Sequence, residues 1–303
     1  MSFRHLFVLT NGKSNDFMST IISLFKPKYI IDKASGLLGE LSDSEITKIC
    51  DKISANGFHS FDIKLNEKTV ADLVAFASDT EVRFLKFDED NITYSEEEIK
   101  FDPNNPISPR YQFQNSQLMR NDSVKNIVYD QSILAVANKY LNAKPILDIV
   151  TMWWSAPFSK ESRDKAAQKY HFDMDRFKFL KFFFYLTDVT EDNGPHCYVK
   201  SSHKSKPNTL LEDRRIEDSE IAEHYPPSDI LELVSSRGSI LAVDTRGFHK
   251  GKPLSNGNRL LLQIQFSNAL FGAPYNKIEG HSSSPEFQKL SKKFKRTYQL
   301  FNG

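Results

Sequence analysis

Hydrophobic and polar positions change rhythm twice along this chain. Up to residue 41, short apolar pieces such as ISLFKPKYII are broken by Gly and Lys with no settled period, so residues 1–41 are expected to form an extension. From Ser42 the spacing turns helical: Ile46, Ile49, Cys50 and Ile53 follow Ser42 and Asp43 as cap candidates, and Gly57 stops the run. FHSFDIKL then alternates as a strand does, and NEKTVADLVAFAS is again helical through Val70, Leu73, Val74 and Phe76. Residues 80–125 are polar, with EEE at 96–98 and DPNNPISPR at 102–110, which predicts loops. DQSILAVANKYLNA, 130–143, predicts a further amphipathic helix.

The second change comes after residue 145. ILDIVTMWW, FLKFFFYLTDV, GSILAVDT and RLLLQIQFSNA are apolar, β-branched or aromatic, separated by Gly, Pro, Asn and Ser, and predict strands. Between two of them lies the acidic LLEDRRIEDSEIAEHYPPSDILELV, 210–234, too long for a hairpin loop. An insertion over about 204–236 is expected to act as a lid, a specificity element or a mobile excursion. Its acidity would admit a cationic or amine-bearing substrate. Phe287, Leu290, Phe294 and Leu300 predict an amphipathic helix over about 284–301. The organisation expected is one domain, 42–303, with its β core at about 146–270.

Composition narrows the function. The chain's 303 residues can bury a core without staples. Its 40 basic and 39 acidic residues give a net charge of +1, unlike the single-sign field of a nucleic-acid or anionic-membrane binder. A small-molecule partner is expected, with the oligomeric state left open. Cys50 and Cys197 are expected as free thiols in a reducing compartment. With no signal-peptide pattern and no apolar run near the ~20 residues a bilayer requires, a soluble cytoplasmic protein is expected.

Candidate chemistry sits in YHFDMDRFKFLKFFFYLTDV, 170–189. In a strand, residues two apart share a face, so His171 and Asp173 can meet one ion while Phe172 points away. A distant His would complete a two-His-one-carboxylate set with open coordination positions. His249, in LAVDTRGFHKG, directly follows a strand and lies beside Gly247 and Gly251; His196 in NGPHCYVKSSHK is a reserve ligand. His5, His59, His224 and His281 read as surface or packing residues. Asp175 shares the ligand face and is expected to support it or lie at the surface. Arg259, Leu261, Gln263 and Gln265 alternate with Leu260, Leu262, Ile264 and Phe266. That polar face is either a solvent-facing sheet surface or the inside of a barrel, where a guanidinium grips a carboxylate. Lys181 either emerges at an edge or neutralises an anion such as a co-substrate carboxylate. Trp153 and Trp154 are expected in the core. Asn193, Gly194 and Pro195 are expected to shape a turn that Ser202 and His203 hold by hydrogen bonds.

Together these residues resemble the phytanoyl-CoA dioxygenase family, a branch of the Fe(II)- and 2-oxoglutarate-dependent oxygenases. The resemblance runs over about 146–270: HFDMDRFKFLKFFFYLTDV resembles the HxD strand and its buried partner, and EDNGPHCYVKSSHK the "NGP…gSHk" turn. DTRGFHKG followed by Arg259 resembles the distal His and the co-substrate arginine. It implies an α+β fold with a mainly β core, a double-stranded β-helix or jelly roll, with flanking N-terminal helices and a C-terminal helix. It also implies Fe(II) on His171, Asp173 and His249, 2-oxoglutarate on Arg259 and Lys181, and O2 as oxidant. The implied reaction hydroxylates a small or carrier-linked molecule and releases succinate and CO2. Asp173 stands where related halogenases have a small residue, which argues against halogenation. A cupin-like metal enzyme without the keto-acid and a catalytically silent β-helix are the alternatives.

Overall fold

The computed structural model describes residues 3–87, 92–158, 168–279 and 285–301. The chain opens with helices α1 (Phe3–Thr10) and α2 (Lys13–Phe25) and the small hairpin β1 (Ala34–Gly36) and β2 (Gly39–Leu41). Helix α3 (Asp43–Asn56) begins at a capping box, in which Ser42 Oγ accepts from Glu45 N while Glu45 accepts from Ser42 N. It ends at Gly57, whose φ of 93° is open to glycine at little cost. Strand β3 (Phe58–Lys64) and helix α4 (Glu67–Asp79), capped by Asn66, follow.

Residues 80–125 hold more structure than their polarity predicts: strands β4 (Arg83–Phe87), β5 (Ile92–Tyr94) and β6 (Arg110–Gln112), and helices α5 (Asn115–Leu118) and α6 (Asp122–Val128). These strands add to an existing edge, so their partners supply what local pattern lacks. The Pro/Asn-rich residues 102–109 are turns and bends as expected. Helix α7 (Gln131–Leu141), capped by Asp130, leads to the long strand β7 (Ile146–Ser155).

The β half continues through β8 (Phe179–Tyr185), β9 (His196–Val199), helix α8 (Asp218–His224), β10 (Ile230–Leu233), β11 (Ser239–Val243), β12 (His249–Gly251) and β13 (Arg259–Ser267). Two antiparallel sheets result. The larger has the order β3-β11-β8-β13-β7-β6-β4-β5, the smaller β10-β9-β12. This is the double-stranded β-helix. His171 adds to the smaller sheet through a bridge to His249, so the two histidines meet across a strand pair.

One alternation explains both the core and the cavity. On β13, β8 and β7 the residues Leu260, Leu262 and Ile264, Leu180, Phe182 and Phe184, and Val150, Met152 and Trp154 join the main core beneath α3, α4 and α7. Their alternates Arg259, Leu261 and Gln263, Lys181, Phe183 and Tyr185, and Thr151, Trp153 and Ser155 line a cavity on the opposite face. Both faces of β8 are covered, so FLKFFFY is buried throughout.

Helix α9 (Pro285–Lys293) is shorter than the pattern over 284–301 predicts, and Ser284 lies outside the described residues. The chain continues in turns from Phe294, yet Phe287, Phe294 and Tyr298 still reach the main core, where Tyr129 and Phe287 stack at 4.2 Å. No helix among the described residues is long and apolar enough to cross a membrane.

Candidate metal centre and carboxylate pocket

His171, Asp173 and His249 converge at the inner end of a cavity of about 350 Å³. One ligand atom from each lies within 4.8 Å of the others. Asp173 Oδ1 is 3.9 Å from His171 Nε2, and Asp173 Oδ2 is 3.5 Å from His249 Nε2. Backbone positions create this geometry. The His171–His249 bridge fixes the histidines opposite each other, and Asp173 N donates to Thr245 O at 2.8 Å, anchoring the third residue to the same loop.

Each ring is locked from behind. His171 Nδ1 lies 3.0 Å from Lys169 O, and His249 Nδ1 lies 3.0 Å from Gly247 O. A carbonyl only accepts, so each Nδ1 carries the proton and each Nε2 presents its lone pair to the cavity. Burial, reinforced by the neighbouring His249, pushes the His171 imidazole down to about 3. Burial lowers His249 as well. Both rings are therefore neutral ligands at physiological pH. For Asp173, burial alone would raise the carboxyl, but Lys181 and the two histidines outweigh it and hold it well below the usual carboxylate range.

Lys181 meets neither an open edge nor a free part of the pocket. Its Nζ is 2.6 Å from Asp173 Oδ2 and 3.2 Å from Asp175 Oδ2. The anion it neutralises is the carboxylate pair beside the histidines, because alternation on β8 points it inward at that level of the barrel. Asp175 thus supports the cluster through Lys181.

Arg259 lies farther along the cavity wall. It is buried, its Nη2 donates to Ser155 Oγ at 3.3 Å, its Nε has no partner, and among the described residues no carboxylate pairs with it. Its face of β13 is therefore barrel interior, which decides between the two readings its alternation allows. Sequence reasoning missed Arg110. Strand pairing sets Arg110 and Arg259 on either side of Ser155, and the Arg110 guanidinium lies 4.2 Å from the Trp153 ring centre. The missed signal is the alternation of Arg110 and Gln112 around Tyr111 in a segment that polarity marked as loop. The two tryptophans, both expected in the core, part company: Trp153 packs with Phe183, Tyr185 and Leu261 in an apolar cluster that also lines the cavity, whereas Trp154 joins the main core, stacked on Phe101. Successive strand residues cannot share a face.

His196 lines the same cavity, its ring 5.4 Å from that of His249, with a buried Nε2 that has no hydrogen-bond partner among the described residues. It stands outside the three-ligand cluster. The turn before it is built as expected: Gly194 has a φ of 79°, and Asn193 Nδ2 donates to Asp188 O at 2.7 Å. Ser202 Oγ donates to Val199 O and accepts from Phe248 N, both at 2.7 Å, tying the turn to the residue before His249. His203 bonds Ser54 O at 3.2 Å. His59 packs on Phe61 and His224 bonds Thr209, while His281 lies outside the described residues.

A buried charge network holds the loop that presents His249. Asp244 accepts from Arg246 at 2.7 Å and from Tyr140 Oη at 2.6 Å, and its backbone carbonyl accepts from Tyr198 Oη at 2.8 Å. Arg246 also reaches Asp16 of α2 at 3.0 Å.

The phytanoyl-CoA dioxygenase family model matches residues 41–260, most of the chain. The chain belongs to the phytanoyl-CoA dioxygenase family. Solved structures of similar fold include SnoN, a non-heme alpha-ketoglutarate-dependent epimerase from nogalamycin biosynthesis, at TM-score 0.53 and 16% identity, over 80% of this chain and 93% of that one. Apo EctD from S. alaskensis gives 0.53 and 15% over 82% and 85%. HygX from Streptomyces hygroscopicus, crystallised with nickel, 2-oxoglutarate and hygromycin B, gives 0.50 and 14% over 82% and 94%. These identities establish a shared fold. A comparison with curated proteins finds no match.

Proposed function

We propose that this family member is an Fe(II)- and 2-oxoglutarate-dependent dioxygenase that hydroxylates a small or carrier-linked organic substrate. His171, Asp173 and His249 would hold the metal. The observation that carries the reading is their convergence with both Nε2 lone pairs turned inward and a buried arginine farther along the same cavity without an acidic partner. Two neutral imidazoles and one ionised carboxylate suit iron and leave coordination positions for other ligands. Iron bound there would supply O2 activation, with 2-oxoglutarate as the two-electron donor that becomes succinate and CO2.

The chain's own residues do the rest. Backbone carbonyls of Lys169 and Gly247 keep the two imidazoles in the ligating tautomer. Lys181 holds the Asp173 carboxylate in place. At the other end Arg259, with Ser155 beside it and Arg110 across the strand, offers guanidinium donors to the distal carboxylate of 2-oxoglutarate; bidentate gripping rewards this geometry. Phe183, Leu261 and Trp153 form an apolar wall of the same cavity. Asp173 supplies the carboxylate that a halide-binding site would lack, which supports hydroxylation over halogenation.

The test uses two variants with different expected failures. His171→Ala should abolish Fe(II) binding and succinate formation. Arg259→Ala should retain Fe(II) but bind 2-oxoglutarate weakly. Wild-type behaviour of both sinks the assignment, and keto-acid-independent activity in wild type would favour a cupin-like enzyme instead.

A further inference from the structure

Helix α2 is amphipathic in the wrong direction for a helix whose only neighbour is its own domain. It buries Asn15 and Ser19, 1% and 8% exposed, and leaves Phe17 at 65%, Leu24 at 75% and Phe25 at 76%. Phe17, Ile21, Leu24 and Phe25 follow i, i+4, i+7, i+8 spacing and form one outward stripe. Ile30, in the segment after the helix, is 86% exposed. The inward polar face is specifically engaged, since Asn15 Nδ2 donates to Arg176 O and Asp16 pairs with Arg246. The orientation of the helix is therefore fixed, and the apolar stripe has no described protein segment over it.

A second observation bears on what would cover it. Immediately past Phe25, Lys26 lines a cleft with Lys144, Lys292, Lys293, Lys295 and Arg296, and none of the described residues lining that cleft is acidic. Lys293 has a distant contact with Asp32 at 3.9 Å; among the described residues Lys26, Lys144, Lys292 and Lys295 are in no ion pair. Lys13 and Lys28, both exposed, flank the stripe on the same segment. The net charge of +1 conceals this clustering because it averages over the whole surface.

We propose that this face docks peripherally on a lipid bilayer carrying anionic headgroups, with the α2 stripe in the interfacial region and the basic cleft on the headgroups. An outward stripe of Phe, Leu and Ile with cations at its edge matches an interfacial helix. An isologous dimer through the same face is disfavoured, because two-fold symmetry would set like cations close together. The proposal departs from the expectation, drawn from net charge, of no membrane partner; it involves a surface contact without a spanning segment.

The test is co-sedimentation of the full chain with vesicles of phosphatidylcholine alone and of phosphatidylcholine with an equal part of phosphatidylserine. The wild type should bind the anionic vesicles, bind the neutral ones weakly, and release in high salt. A Phe17→Ser/Leu24→Ser/Phe25→Ser variant should bind at least about tenfold more weakly, given the apolar area withdrawn from burial. Lys292→Glu/Lys295→Glu should lose the preference for phosphatidylserine. Independently, Leu24→Cys carrying a polarity-sensitive fluorophore should blue-shift on anionic vesicles; Cys50 and Cys197 are buried. Absence of wild-type binding or of the blue shift overturns the proposal. So does sedimentation showing a dimer that the triple variant dissolves, or binding of an acidic protein in place of vesicles.

Discussion

Lys181 Nζ lies 2.6 Å from Asp173 Oδ2, joining a buried lysine to a half-buried carboxylate beside the two histidines. Lys181 thereby acts on the metal site through the carboxylate it holds. Lys181→Met should weaken Fe(II) binding about 10- to 100-fold, the range for removing a group that supports a metal ligand. Isothermal titration with Fe(II) or Co(II) under anaerobic conditions reads this directly. An unchanged metal affinity with a raised KM for 2-oxoglutarate would return Lys181 to the role of co-substrate ligand.

Arg259 and Arg110 can be separated. Arg259→Met should raise KM for 2-oxoglutarate roughly 10- to 150-fold, the worth of about 1.5 to 3 kcal/mol for a hydrogen bond to a charged group, and leave metal affinity unchanged. Arg110→Met, one strand farther from β13, should cost less. Equal effects of the two on metal binding would argue for a structural role.

The Ser202 hydroxyl is the link between the NGP turn and the His249 loop. Ser202→Ala leaves the buried Phe248 N–H without its acceptor and should destabilise the chain by about 1 to 3 kcal/mol. Thermal denaturation measures the loss. Ser202→Thr, which keeps the acceptor, should recover part of it.

A buried lysine, Lys206, and a half-buried one, Lys178, predict the pH dependence of stability. Burial, then the charge of Arg246, pushes Lys206 down to about 7 against the opposing pull of Asp244 and Asp16; its Nζ faces the rings of Phe172, Phe7 and Phe248 at 4.7, 5.5 and 5.6 Å. Burial, then Arg246, likewise lowers Lys178 to about 8, with Asp244, Asp16 and Cys50 opposing. Between these values and the unfolded lysine range the unfolded chain binds more protons, so stability rises with pH from about 7. Above about 8.5 the unfolded thiols ionise, while burial pushes Cys50 up to about 12 and Cys197 up to about 11, which offsets the rise. The unfolding free energy from urea titration should therefore increase from pH 7 to 8.5 by roughly 1 to 2 kcal/mol, and Lys206→Met should remove part of the slope. A flat or falling profile contradicts it.

The sequence by itself determined the local elements and the chemical types. Ser42, Glu45 and Gly57 define α3 through short-range hydrogen bonds, and HFD needs only the two-residue period of a strand to place His171 and Asp173 on one face. The NGP turn is equally local, since glycine alone accepts its φ cheaply. Only the tertiary structure decided what each face meets. Alternation separates Arg259 from Leu260 and Trp153 from Trp154, but a period cannot say which face is solvent, core or cavity; that depends on the second sheet and on α3 and α7 covering the first. Lys181 was legible as a costly buried charge, while its partner Asp173 became clear only when the barrel closed. Arg110 stayed hidden because a three-residue strand draws its order from β7, far along the chain. The basic cleft was invisible for the same reason: its cations come from three distant segments, and only folding makes them neighbours of the apolar stripe on α2.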